Sequence, residues 1–449
     1  MRKFFYIFIG FCALTLLSCN KNKNTTTPSS VAKLSAFSFA AVDSMPGLAK
    51  AVFTVEERLD TGLVWNRDSM LYGTDLHHVV PRFTFAATPG ASSLIMPDTV
   101  CQLTGYDTLD FTKQPIYLFI RSADKSNTKI YEIRPTVHQA DPDLYIWTQL
   151  TDNMYNDDDY ASNDLEQRVV ELGTNFVLIS SNGFSLRADQ SADGATWTKL
   201  GTPSGLPGSV KVRQIISDGT TLYYGQGNTI YTSTDAVNWT ANSVSEYITT
   251  MLLFWSKHVW VLVDQGGQYE LAWYDNSALN MTGIVPTGPF PVSDFAALTF
   301  KSASGRERAM ILGGFADNGE SLNTRWNLEY TQYLNDSTAT YRIEEFAISR
   351  PQFTSMTGIS VVWYNKEMLL FGGVDEKMSY LGGDIFVSVN EGMSWAQADT
   401  TKNQLPTDYR IRQKQSAIVR DNYIYVFGGQ NTLRSFSDVY RGKLNSIDW

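Results

Sequence analysis

Histidine and cysteine are scarce: four and three residues respectively in a chain of 449. Zinc, copper and iron–sulfur centres draw on imidazole and thiolate ligands, so the scarcity excludes most transition-metal chemistry, and no metal or cofactor is expected. Two of the cysteines, Cys12 and Cys19, stand within the first twenty residues. Cys101 is then the one thiol in the body of the chain, so an internal disulfide is excluded there and stability must come from a packed core. Long apolar runs are missing too. The segment from Phe4 to Leu17 is apolar over about 14 residues, short of the roughly 20 that a spanning helix needs, and no later segment matches it. Positive charge is in deficit, with 36 Lys and Arg against 46 Asp and Glu and a formal net charge of −10. Neutralising a phosphate backbone takes clustered Lys and Arg, so nucleic acid is excluded as a partner.

What is present starts with a basic Met1-Arg2-Lys3, then the apolar run, then Leu16-Leu17-Ser18-Cys19. That order predicts a signal peptide over 1–18 rather than part of the fold. The Leu-Leu-Ser-Cys ending resembles the lipobox of bacterial lipoproteins. The resemblance implies cleavage before Cys19, acylation of its thiol and a stable anchor made of several acyl chains. Loss of Arg2 and Lys3 would move the net charge from −10 to −12. Residues 19–30, with "NKNKNTTTPSS" after the cysteine, are polar and lack apolar spacing, which predicts a flexible tether. Lipoproteins similar to this one often carry acids after the cysteine when they are exported to the cell surface. Lys21 and Lys23 stand there instead, so the expected place is the periplasmic side of the outer membrane.

Over 31–140 the chain alternates apolar and polar residues in short runs, "LSAFSF", "AVFTV", "PRFTF", "IYLFI" and "KIYEIRPTV", separated by turn-rich segments. Period two with one buried face predicts a β-sandwich. The stretches "LYGTDLHHVVPRFTFAATPGASS" and "YDTLDFTKQPIYLFIRSADKSNTKIYEI" resemble immunoglobulin-like modules at the N-termini of envelope lipoproteins, which implies a spacer or adhesion unit. "HQADPDLYIW" marks a boundary before a second domain over 143–449.

That second domain repeats itself. "AMILGG", "MLLFGG" and "YIYVFGG" end in glycine pairs at 313–314, 372–373 and 428–429, spaced by 59 and 56 residues. Tryptophans close units at Trp197, Trp239, Trp395 and Trp449, and the regions of Met281 and Tyr341 hold equivalent places. Units of 40–60 residues with about four strands each predict a β-propeller, six-bladed with seven as the alternative, in an all-β chain. A propeller must fasten its ends. "YIWTQL" at 145–150 echoes "TWTKL" at 196–200, and is predicted to complete the last blade beside Tyr440.

The glycine pair followed by tryptophan resembles kelch repeats and galactose-oxidase-like propellers. "SVNEGMSW" at 388–395 resembles the Asp-box of sialidase-type propellers, with degenerate copies in "SADGATW" ending at Trp197 and "STDAVNW" ending at Trp239. The resemblance implies a turn between third and fourth strands, away from any catalytic pocket. Asn390, Gly392, Ser394 and Trp395 are accordingly expected to build that turn.

The chemistry of those families is not carried by the residues. Sialidases use an Arg-Ile-Pro motif and an arginine triad; here "EIRP" falls at 132–135, outside the repeats, and Arg325, Arg342, Arg350, Arg410 and Arg412 show no convergence in sequence. Galactose-oxidase copper needs histidines and a tyrosine–cysteine crosslink, whereas 143–449 holds only His258 and no cysteine. His77, His78 and His138 are expected at the surface. The densest polar segment is "YNDDDYASND" at 155–164, which lacks EF-hand spacing. Tyr155, Asp157, Asp158, Asp159 and Tyr160 are the candidate ligand residues, since tyrosine rings and carboxylates suit a sugar; a solvated loop is the plainer alternative.

Signal, first domain and propeller together resemble an uncharacterised family of Bacteroidetes lipoproteins. The function expected is a lipid-anchored envelope protein whose propeller binds a glycan or an envelope protein without catalysis. Two alternatives stay open: a glycan-active hydrolase of sialidase or glycosidase type with a non-standard carboxylate site, and a structural component of a surface assembly.

Overall fold

The computed structural model describes residues 27–445, apart from 60, 156–164, 303, 333–338, 348–354, 382, 384 and 404. The expected signal peptide, Cys19 and Trp449 lie outside the described residues. No helix among those described is long and apolar enough to cross a membrane. Strands dominate, and the chain divides into two compact units, Met1–Pro142 and Asp143–Trp449.

In the first unit Leu34–Phe39 pairs with Pro81–Phe85, and a six-stranded sheet runs in the order Phe53–Glu56, Thr61–Asn66, Thr128–Arg134, Ile116–Arg121, Ala91–Met96, Thr99–Gln102. One pairing, Thr61–Asn66 with Thr128–Arg134, is parallel. Alternation decides which side chains go inside. Leu34, Phe37 and Phe39 enter a common core with Val64, Leu118 and Tyr131, and a register shift between Leu34 and Ala36 resets their period. The Tyr131 hydroxyl accepts from the Leu34 N–H and donates to Glu57.

In the second unit the strands of each sheet pair antiparallel. Four of its sheets have four strands: Glu166–Leu172 to Thr198–Gly201, Ala296–Lys301 to Ala339–Ala347, Ser360–Tyr364 to Ala396–Gln397, and Ser416–Arg420 to Ser435–Leu444 with Tyr145–Thr151 added. A six-stranded sheet covers Ile216–Ser217 to Leu279–Ile284. Its strand Thr240–Trp255 serves two neighbours: residues 240–243 pair back to 229–232, and 247–255 pair forward to 258–264. The expected fastening is present. Tyr145–Thr151 is the outermost strand beside Ser435–Leu444, with Trp147 opposite Gly442 and Gln149 opposite Tyr440.

Each glycine pair is a seam between neighbouring sheets. The Gly373 N–H donates to the Arg412 carbonyl at 3.0 Å and the Gly314 N–H to that of Met356 at 2.7 Å. Both residues are left-handed, with φ of +92° and +91°, and a Cβ on Gly373 would lie 2.4 Å from Ile359 Cγ2. Backbone can approach backbone there only without a side chain. The tryptophans pack on the preceding sheet: Trp239 joins Val177 and Ile179, Trp395 joins Met310 and Leu312, and Trp197 meets Phe427 at 6.0 Å between ring centroids.

The innermost segments, Glu166–Leu172, Ile216–Ser217, residues 251–254, Ala296–Lys301, Ser360–Tyr364 and Ser416–Arg420, neighbour one another in a closed ring and line an axial channel.

Candidate functional site

The octet at 388–395 is a turn. Ser388 Oγ donates to Asn390 Oδ1 at 2.9 Å and accepts from the Gly392 N–H at 2.8 Å, while Asn390 Oδ1 accepts from the Ser394 N–H at 2.9 Å. The same closure recurs at Ser191–Asp193 and Ser233–Asp235, with Gly194 and Ala236 donating to the serines. The longer octet absorbs its extra residue by setting Glu391 left-handed at φ +60°, beside Gly392 at +82°. These side-chain acceptors are consumed within the turn, and the Glu391 carboxylate pairs with Arg308 at 2.6 Å.

The acidic run fares differently. Asp157, Asp158, Asp159 and Tyr160 lie outside the described residues. Tyr155 corrects the expectation of a sugar platform: its side chain is 2% exposed, packed with Met154, Trp197 and Phe427. Its N–H bonds Asn153 Oδ1 at 2.9 Å, the Met154 N–H bonds the Ser437 carbonyl at 2.8 Å, and the buried Arg187 guanidinium sits 5.3 Å from its ring. Tyr155 lies beyond the strand that ends at Thr151, but the Met154 bond keeps the chain against the sheet and the ring is buried. Among the described residues no group of three His, Cys, Asp or Glu could hold a metal ion.

The channel mouth gathers the charges that sequence leaves scattered. In Glu166–Leu172 alternate residues face opposite ways: Gln167 donates to the Phe436 carbonyl at 3.0 Å, while Glu166 and Arg168 line the channel. A 3-10 turn at Val212–Gln214 brings Lys211 and Arg213, and the residues just before two other innermost strands bring Asp294 and Lys414. Arg213 spans the opening, with Nε 3.2 Å from Asp294 Oδ1 and Nη1 donating to the Lys414 carbonyl at 2.5 Å. Lys414 Nζ holds the other Asp294 oxygen at 3.0 Å.

The backbone under these charges is itself unusual. Asp294, Gly358 and Lys414 occupy equivalent places and are all left-handed, at φ +50°, +63° and +60°. They are chained by bonds from the Gly358 N–H to the Asp294 carbonyl (2.8 Å) and from the Lys414 N–H to the Gly358 carbonyl (2.7 Å). A side chain in that conformation costs about 1 kcal/mol or more, and strain of this kind gathers at functional positions.

Arg168 stands apart. It lines the cavities of both halves of the channel, about 170 Å³ at the mouth and 400 Å³ beyond. Its Nε is enclosed and has no acceptor among the described residues. Burial, then the neighbouring Arg213 charge, pushes its pKa down to about 10, so it remains a cation at neutral pH. Burial also raises the Glu166 carboxyl, against the pull of Arg213. The far end of the channel carries Glu171 and Asp218, of opposite sign.

None of these mouth residues stands out in the sequence. Four of the repeats contribute one or two each, and only superposing the units on their innermost strands would have brought Glu166, Asp294 and Lys414 to one level.

No curated protein matches the chain. Residues 17–134 match the domain of unknown function described as the DUF6242 N-terminal domain. Residues 141–449, more than half of the chain, match the DUF6242 beta propeller domain. A second unit of antiparallel sheets ringed about a channel accords with that description, and the chain belongs to the DUF6242 family.

Proposed function

We propose that this protein is a lipid-anchored envelope protein that binds a ligand, a glycan or an envelope protein, at the axial channel mouth of its propeller without catalysis. The observation that carries the reading is the convergence of Glu166, Arg168, Lys211, Arg213, Asp294 and Lys414 on one opening. Glycoside hydrolysis needs a free pair of carboxyl groups. Both oxygens of Asp294 are engaged by Arg213 and Lys414, which leaves Glu166 alone. The runner-up is a glycan hydrolase with Glu166 as the acid and Asp294 as its partner; the raised pKa of Glu166 favours it, since separated acidities suit an acid–base pair.

The finer architecture belongs to the same reading. The closed ring of six innermost segments, with Thr240–Trp255 shared between two blades, supports a six-bladed propeller. Glycine seams and recurring Ser-x-Asx turns support a kelch-like, Asp-box-bearing type. Two sheets around one core support an immunoglobulin-like first unit, with its parallel pair as a departure. The anchor is Cys19, on the periplasmic side of the outer membrane.

A glycan array probed with the purified full chain, with a pull-down on envelope extract beside it, tests the binding function. Saturable binding lost in Arg213→Ala is the expected result. Turnover of a bound glycan that stops in Glu166→Gln would move the assignment to the hydrolase, and a blank array with no specific partner would overturn binding. Retention of Cys19→Ser protein in the membrane pellet would refute the anchor.

A further inference from the structure

Resting on the binding function just proposed, we infer that the channel mouth is an oxyanion site, in which the Arg168 guanidinium takes a carboxylate or sulfate group beneath the Arg213 bridge. Four cations and two carboxylates line the opening, an excess of positive charge on a chain whose net charge is −10. The cations are not equivalent. Arg213 and Lys414 are tied to Asp294, whereas Arg168 has no ion pair among the described residues and feels the charge of Arg213. Arginine does not shed its proton, so a partly buried one is neutralised only by an anion brought to it.

Geometry sets the class of anion. A guanidinium offers parallel N–H groups that match the two oxygens of a carboxylate or sulfate. The mouth cavity, about 170 Å³, is smaller than the roughly 300 Å³ at which pockets for whole small molecules begin, so it admits one charged group with part of a ring. Glu166 opposes an anion, and the nearby Arg213 charge offsets part of that opposition. Lys211, Arg213 and Lys414 stand at the mouth beside Asp294, so the anion enters from that side. The left-handed Asp294 and Lys414 hold the Arg213 bridge in place, which gives their strained backbone a purpose.

Isothermal titration of the full chain at low ionic strength tests the site, with sodium sulfate, glucuronate and glucuronate methyl ester as probes. Sulfate should bind saturably, glucuronate should displace it and the neutral ester should not. Arg168→Gln should weaken sulfate about tenfold or more, the scale of a lost charge-assisted hydrogen bond. Arg434→Gln, at an exposed position elsewhere, should leave it unchanged. Should Arg168→Gln fail to fold, Lys211→Gln at the exposed rim should still weaken sulfate two- to threefold, by about 0.5 kcal/mol of lost attraction. Glucuronate competing with sulfate assigns the group to an acidic sugar, and sulfate without glucuronate assigns it to a free inorganic ion. Equal sulfate affinity in wild type and Arg168→Gln, or ester binding as well as acid, overturns the site. Binding of a neutral glycan on the array without either anion would overturn this inference and leave the binding function standing. Anion binding with no macromolecular ligand would do the reverse.

Discussion

Removing the Arg412 guanidinium should cost the second unit about 3–5 kcal/mol, the usual toll for breaking a buried ion pair from one side. Arg412 has no exposed side-chain surface and Asp438 only 14%. The pair is bidentate, with Nη1 against Oδ1 and Nη2 3.0 Å from Oδ2. Nη1 also donates to the Gly428 carbonyl at 3.0 Å, and Nε to that of Arg410 at 2.8 Å. The rings of Tyr409 and Phe436 lie 4.2 and 4.1 Å from the guanidinium carbon. Arg412→Met keeps most of the packing and strands the Asp438 carboxylate. Arg412→Met with Asp438→Leu removes that stranded charge, yet leaves two carbonyls short of a donor at about 1–3 kcal/mol each, so it should recover only part of the loss. Urea unfolding followed by tryptophan fluorescence reads the second unit well, because ten of the eleven tryptophans lie in it. At a slope near 3 kcal/mol per molar, the midpoint of the single variant should fall by about 1–2 M. A single variant within about 1 kcal/mol of wild type, or a double variant no better than the single, would refute the argument.

Three further outcomes follow from the seams, the fastening strand and the turns. Gly373→Ala forces a Cβ to 2.4 Å from Ile359 Cγ2 at φ +92°, and should lower stability by about 2 kcal/mol or more in the same urea assay; a neutral effect would mean that the seam yields. Trp147→Ala removes the indole that covers Gly442 and meets the Phe371 ring edge-on at 6.5 Å, so amide exchange over 435–444 should accelerate more than over 166–172; uniform acceleration would deny that the ring opens there. Burial would raise the Asp235 carboxyl, but the Asn238 side chain, the N–H groups of Asn238 and Val237, and Ser233 outweigh it and hold the pKa at about 2. A depressed carboxylate stabilises the fold above its ordinary pKa of 3.8 and loses that stabilisation as pH falls toward 2, so Asp235→Asn should flatten this part of the acid limb; parallel profiles would count against it.

Much of the architecture was legible because it is made of local signals repeated. "MLLFGG" and "YIYVFGG" pair an apolar strand with glycines that tolerate a close neighbour, and in the structure Gly373 of the first bonds across an inter-sheet seam. The fastening strand was visible because 145–150 echoes a segment one unit later. What stayed hidden lacks local punctuation. The stretch "SVSEYITTMLLFW" runs through without a turn residue because one strand serves two neighbours, so no boundary could be placed there. The parallel pairing of Thr61–Asn66 with Thr128–Arg134 joins segments more than sixty residues apart, which periodicity does not encode. Tyr155 misled because the residues that follow it are polar, whereas its neighbours in space include Trp197 and Phe427.

The channel charges show why a propeller site resists reading from sequence. Apolar residues pack the seams and Ser-x-Asx turns close three of the units, while the mouth charges sit before or near the start of innermost strands. Glycine at 358 is the residue that the left-handed backbone alone would select, yet the equivalent places carry Asp294 and Lys414. The departure from glycine at two of these three places is what supports the proposed site. It becomes visible when Arg213 is seen reaching both Asp294 and the Lys414 carbonyl, over sequence separations of 81 and 201 residues. Closure of the ring turns those separations into hydrogen-bond distances, and the chemistry that results belongs to the assembled ring rather than to any one repeat.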